Sequence, residues 1–144
     1  MKKTWVKRLV VTGCLGGIPL IVGGIFYLSW IPSPRLSELG WMPRWLGEWS
    51  DKFDRLRTGI PFVVLGGLAG LLLWIFKRKA GDWGLVFLFL TCVVMTAELG
   101  QTSLTRRVVD WQDVVWGAVG TAVGMGIIKF ASLQGSVFRR KEEF

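Results

Sequence analysis

Histidine is absent from this 144-residue chain, and cysteine occurs only twice. Without histidine the chain lacks the commonest general base, triad member and zinc ligand, so most hydrolase mechanisms lose their central residue. Cys14 and Cys92 have no partner at disulfide-framework or metal-ligand spacing and read as small core residues, from which no redox compartment follows. No internal repeat marks a transporter of duplicated halves. Acidic residues are few, ten against eighteen lysines and arginines. Such an excess can signal nucleic acid, but no basic helix or aromatic platform stands outside the apolar stretches to support that. No metal or other cofactor is expected.

What the chain has instead is apolar length. Four runs, Leu9 to Trp30, Leu56 to Phe76, Trp83 to Gln101 and Trp111 to Phe130, each hold about 20 residues, the length a helix needs to cross the hydrocarbon of a bilayer. Apolar residues make up 51% of the sequence. That exceeds what the core of a soluble domain this size requires, and the excess must face lipid.

The basic residues are sorted by side. With the N-terminus placed in the cytoplasm, that side receives the head (Lys2, Lys3, Lys7, Arg8), the middle loop (Lys77, Arg78, Lys79, Asp82) and the tail (Lys129, Arg139, Arg140, Lys141, Glu142, Glu143), eleven basic and three acidic residues. The opposite side carries seven of each, so the whole formal charge of +8 falls on one face. The positive-inside rule then predicts both termini in the cytoplasm. The expected fold is all-α: one domain over residues 1–144, with four transmembrane helices in two antiparallel hairpins, N-in and C-in. Met1 to Ser29 has some features of a signal peptide, but only Leu9 to Thr12 separate the last charge from Gly13. An h-region needs roughly 7 to 15 residues, so the first helix is expected to be retained.

Trp30 and Trp111 fall at the outer ends of the first and fourth runs, and Trp74 and Trp83 bracket the basic middle loop, as an aromatic belt requires. Trp41, Trp45 and Trp49 recur at i, i+4, i+8, which puts them on one side of a short helix with Met42 and Leu46 nearby and Pro43 in its first turn. That helix is expected to lie flat on the outer leaflet; the alternative is a stacking platform for a sugar or aromatic ligand. Gly117, Gly120 and Gly124, with Ala118, Ala122 and Gly126, form small-residue rows that admit a neighbouring backbone. Gly13, Gly17, Gly23 and Gly24 in the first run, and Gly66, Gly67 and Gly70 in the second, offer the same. Pro19 and Pro61 are expected to kink their helices.

Polar chemistry collects at one end of the runs. Ser29 and Pro32 close the first; Asp51, Lys52, Asp54 and Arg55 precede the second; Glu98 and Gln101 close the third; Arg106, Arg107, Asp110 and Asp113 open the fourth. Glu98 and Gln101 share a helix face at i, i+3, as do Asp110 and Asp113, whose charges complement a helix N-terminus. Glu98 directly follows an apolar stretch, where an ionised group faces the bundle and takes a partner; Arg107 and then Arg55 are expected to supply it. The candidate ligand-binding cluster is Asp51, Lys52, Arg55, Glu98, Gln101, Arg107, Asp110 and Asp113. The same groups would also serve as an ion-pair and hydrogen-bond network that fixes helix ends.

These residues carry a resemblance. Ala97-Glu98-Leu99-Gly100-Gln101, then Arg107 to Asp113, then Gly120 and Gly124, are similar to the C-terminal pattern of VanZ-like membrane proteins: E-x-x-Q, a short loop with Arg, an Asp six residues on, an Asn four after that, and Gly-x-x-x-Gly. Asp51-Lys52 resembles that family's D-K-x-x-H-F, and Ser29-Trp30-Ile31-Pro32 its S-x-I-P. Two positions depart, with Arg55 where the family has His and Gly117 where it has Asn. The first exchanges a titratable group for a permanent cation; the second removes an amide and opens space.

The resemblance implies a multi-pass protein of the bacterial cytoplasmic (inner) membrane, associated with reduced susceptibility to teicoplanin-type glycopeptides. Its outer polar cluster would bind or screen an envelope ligand such as a lipid-linked wall precursor. The alternative is a non-catalytic accessory subunit that docks on a larger membrane complex through its glycine-rich faces. An enzyme with Glu98 as base and an arginine as anion clamp is disfavoured, since no nucleophile or metal-ligand set accompanies them. Membrane lipid, other membrane subunits or the wall precursor are the expected partners, and nucleic acid is not.

Overall fold

Helix formation follows the apolar runs, and the helix ends follow the capping residues beside them. The structure, a computed structural model, describes residues 2–31, 35–103 and 110–141; among these there is no β-strand. The described residues form five helices, α1 (Lys2–Ser29), α2 (Arg44–Lys52), α3 (Asp54–Ile75), α4 (Ala80–Gly100) and α5 (Trp111–Lys141), with short 3₁₀ turns at Leu36–Glu38 and Gln101–Ser103. Four of them contain segments long and apolar enough to cross a membrane: Thr4–Ser29, Asp54–Ile75, Ala80–Gly100 and Trp111–Gln134. Helix α1 begins earlier than its apolar run, and α5 outlasts its own to reach Lys141, because lysine and arginine are themselves good helix formers. Pro19 and Pro61 both lie within continuous helices.

The ends are closed by identifiable groups. Helix α3 stops in a Schellman arrangement, with the Arg78 N–H donating to the Leu73 carbonyl at 2.9 Å and the Lys77 N–H to Trp74 at 3.0 Å. Lys77 occupies the left-handed position at φ 51°, where glycine is the usual residue. Asp82 starts α4 by accepting from the Lys79 N–H at 3.2 Å. At the start of α5 the Asp110 carboxylate accepts from the Gln112 N–H at 2.8 Å, satisfying one of the helix's orphan donors.

Packing shows which glycine rows find a neighbour. The most extensive contact joins α3 and α5. A Cβ on Gly120 would strike the Gly59 carbonyl oxygen, one on Gly124 the Val63 carbonyl oxygen, and one on Gly66 the Thr121 carbonyl oxygen. Contacts therefore step from Gly59 to Gly70 along α3 as they step from Trp116 to Ile128 along α5, so these two helices run parallel. The closest pair thus lies between the expected hairpins rather than inside either one. Gly117 faces α4 instead, where a Cβ would come within 2.7 Å of Val94 Cγ2. On α1 only Gly17 has a neighbour, Leu68 Cδ1 at 3.5 Å; Gly13, Gly23 and Gly24 face open space. Helix α1 packs instead through Ile18, Ile21, Val22 and Ile25, against a core of Phe62, Leu65, Ala69, Leu90 and Val94.

Cys14 is buried, but Cys92 is exposed, because the side of α4 that packs is the one bearing Leu90, Val94, Ala97 and Glu98. Large apolar side chains such as Leu20, Leu85, Phe89 and Ile127 are exposed on every spanning helix that carries them. In water that surface would be an aggregation hazard, whereas in a bilayer it is the lipid-facing belt.

Candidate functional site

Where the C-terminal ends of α1 and α4 meet the N-terminal ends of α3 and α5, the helices leave a partly open cavity of about 60 Å³. Its apolar walls come from Ile25 and Leu28 of α1, Pro61 and Phe62 of α3, and Val94 and Ala97 of α4; Leu36 of the 3₁₀ turn covers it. Six polar side chains line the same space: Ser29, Arg57, Thr58, Glu98, Gln101 and Asp113.

Two of these are deeply placed, with Glu98 3% and Gln101 5% exposed. Gln101 Nε2 donates to Glu98 Oε1 at 2.8 Å, the geometry that i, i+3 spacing on one helix face permits. In the same lining the Thr58 hydroxyl is near enough to the Asp113 carboxylate to favour its charged form, and the Arg57 guanidinium acts electrostatically on both Asp113 and Asp51. A helix end supplies each group: Asp113 sits in the first turn of α5, Arg57 and Thr58 one turn into α3, and Glu98 and Gln101 at the close of α4.

The wall formed by α1 is fixed by Trp30. Its Nε1 donates to the Ala97 carbonyl at 3.3 Å, and its indole lies so close to Gly100 that a Cβ there would collide with the ring. Phe26 packs on the same indole with ring centroids 5.0 Å apart. Trp30 is therefore a tie between α1 and α4 as well as a belt residue.

Asp51 stands outside the cavity and secures its cover. Its carboxylate accepts from the Leu36 N–H at 2.8 Å, from the Ser37 N–H at 3.1 Å and from the Ser37 hydroxyl. Burial pushes the Asp51 pKa up, but these hydrogen bonds and the Arg57 charge outweigh it and hold the group below its ordinary value. Gly47 permits the close approach, since a Cβ there would lie 2.6 Å from Ser37 Cα.

Of the candidate cluster, then, Glu98, Gln101 and Asp113 share the cavity. Asp51 holds its cover, and Asp110 caps α5. Lys52 lies over the Phe53 ring at 5.7 Å from the centroid. Arg55 lines a separate shallow groove with Trp111, Gln112, Val115 and Trp116. Arg107, the first expected partner of Glu98, lies outside the described residues, as do Arg106 and Pro32. Among the described residues the basic residue at the cavity is Arg57, which sequence reasoning passed over together with Thr58. Among the described residues no group of three or more His, Cys, Asp or Glu converges as a metal site would require.

A family model described as VanZ/LLP1 matches residues 20–132, most of the chain. The chain belongs to the VanZ/LLP1 family. With its four apolar helices it is a multi-pass membrane protein. No curated protein and no solved structure matches it. Within the VanZ/LLP1 pattern the two departures occupy different surroundings. Arg55 lies in the groove beside Trp111 and away from the cavity lining, while Gly117 packs so tightly on Val94 that an asparagine could not enter without displacing the Val94 side chain.

Proposed function

We propose that this VanZ/LLP1 protein binds the small polar end of an envelope amphiphile in the cavity between its helix ends, without catalysing a reaction. The observation that carries this reading is the combination of six polar side chains and an apolar wall in one partly open space at the helix ends. A volume of about 60 Å³ holds a few water molecules or a group of a few non-hydrogen atoms. A whole glycopeptide is excluded by size, so an effect on teicoplanin-type antibiotics would run through a lipid-linked wall precursor or another lipid. Among the described residues the lining pairs one guanidinium with two carboxylates. A bare phosphate would meet Glu98 and Asp113 unfavourably, whereas an end group bearing both donors and acceptors, such as an amide or an ammonium beside a carboxylate, finds complements on each side.

On this reading the cavity faces the outer side of the bacterial cytoplasmic membrane and both termini are cytoplasmic, in keeping with the one-sided +8 charge. Expression in a glycopeptide-susceptible host tests it. The wild type should raise the teicoplanin concentration needed to stop growth, and Glu98→Gln or Asp113→Asn, expressed at equal level, should not. Equal protection by all three, or none by the wild type, would overturn the proposal. An impermeant thiol reagent should leave Arg78→Cys unlabelled in intact cells; labelling there would reverse the topology.

A second reading is favoured by one observation, the open glycine face of α1. Gly13, Gly16, Gly23 and Gly24 have nothing within 4 Å, so a helix of another subunit could approach there as α5 approaches α3. A stoichiometric larger complex in mild detergent, lost on Gly13→Leu, would support an accessory subunit instead.

A further inference from the structure

Helix α2 has three sides. At about 100° per residue, Arg44, Glu48 and Lys52 fall on one side and are exposed. Gly47, Ser50 and Asp51 fall on a second side, where Gly47 and Ser50 are buried and Asp51 holds the 3₁₀ turn. Trp45, Leu46, Trp49 and the following Phe53 fall on the third. Trp45 is 72% exposed, Trp49 38% and Phe53 40%, with the Trp49 and Phe53 rings 5.8 Å apart. Among the described residues nothing covers this apolar side.

An exposed aromatic pair leads from α1 toward α2. Trp41, just before α2 and 60% exposed, packs against Tyr27 on the outside of α1 with ring centroids 6.4 Å apart. Tyr27 is itself 59% exposed, on a spanning helix whose outer face meets lipid. Exposed aromatic rings thus run from Tyr27 on α1 to Trp41 and recur at Trp45, Trp49 and Phe53 along α2, and a bilayer interface is the one solvent that suits them all. The charged side, a third of a turn away, supplies two basic residues at headgroup level, and Lys52 lays its ammonium over the Phe53 ring.

We propose that α2 lies in the bilayer interface, its Trp45–Trp49–Phe53 side sunk into the headgroup and acyl boundary, with lipid as its partner. An amphipathic helix of this kind sits about 5–10 Å below the surface. Its consequence is positional: because Asp51 ties α2 to the turn that covers the cavity, lipid contact sets the height of that cover at the headgroup layer. The inference stands whether or not the cavity binds a ligand.

Nitroxide accessibility in phosphatidylethanolamine–phosphatidylglycerol vesicles tests it. Spin labels on Trp45→Cys, Phe53→Cys and Glu48→Cys, each with Cys14→Ala and Cys92→Ala, are compared for collision with oxygen and with a neutral nickel chelate. The labels at 45 and 53 should favour oxygen by several-fold, and the label at 48 should favour nickel. Equal nickel access at 45 and 48 would place α2 in water. Shielding of 45 from both reagents would mean that a protein covers it. Either result overturns the proposal. Should the cysteine-free background fail to fold, brominated lipid provides a second measurement: it should quench wild-type tryptophan emission more than that of Trp45→Phe, and equal quenching would count against the proposal.

Discussion

Adding one carbon at Gly120 should separate the two helices that hold the bundle together. The new Cβ would overlap the Gly59 carbonyl oxygen and lie 3.2 Å from both the Gly59 carbonyl carbon and the Val63 nitrogen, all of them backbone atoms. No rotamer change can relieve a backbone contact, so α3 and α5 must move apart by roughly 0.5–1 Å, which forfeits a quarter to a half of each affected dispersion contact. Overpacking of this kind costs about 1–3 kcal/mol. Gly126 on the same helix is the matched control, since nothing lies within 4 Å of its added Cβ. Gly126→Ala should be neutral or stabilise by up to about 1 kcal/mol through helix propensity. Thermal unfolding in one detergent, followed by aggregation or circular dichroism, should place Gly120→Ala several degrees below the wild type and Gly126→Ala at or above it. Equal midpoints for the two variants would refute the claim that α3 and α5 meet backbone to backbone at Gly120.

Two further predictions concern the ends of the helices. Asp51 has its pKa lowered in the folded state, so its stabilisation is complete above its unfolded value of about 3.9 and is lost as pH falls through the lower folded value. Hydrogen exchange at the Leu36 and Ser37 amides, corrected for intrinsic rate, should therefore be flat from pH 7 to about pH 5 and rise only in more acidic buffer. Asp51→Asn should raise exchange at neutral pH by roughly five-fold, about 1 kcal/mol after allowance for exposure, and remove the acid dependence. Lys77 holds a left-handed φ of 51°, and Lys77→Gly should raise stability by about 0.5–1 kcal/mol, readable as a higher midpoint in the same thermal assay.

The spanning helices were legible because a bilayer demands one thing above all, about 20 apolar residues in a row. Their pairing was not. Glycine rows on three runs looked equivalent in sequence, and only three-dimensional register distinguishes Gly120 and Gly124, pressed on backbone, from Gly13, Gly23 and Gly24, which face open space. The site was half visible. Glu98, Gln101 and Asp113 announced themselves as charged or amide groups bordering apolar helices, and they share the cavity. Arg57 and Thr58 were overlooked although the signal was present: the second run, taken from Leu56, contains an arginine one turn inside an apolar helix, where such a residue faces the protein interior. Asp51 gave no sign of its role, since its partners are backbone amides of a turn fourteen and fifteen residues away. Trp30 looked like a belt residue because nothing local shows that its ring covers Gly100.

The central claim is that the cavity between the helix ends holds the polar end of an amphiphile, and native mass spectrometry of protein purified from bacterial membranes tests it most directly. Ala97→Leu is the informative variant: Ala97 is buried on the cavity wall, and leucine would fill much of about 60 Å³ without changing a charge. The wild type should retain a bound small amphiphile at near one-to-one ratio, while Ala97→Leu, folded by circular dichroism, should lose it. Equal retention by both, or a wild type that retains no amphiphile, would contradict the account.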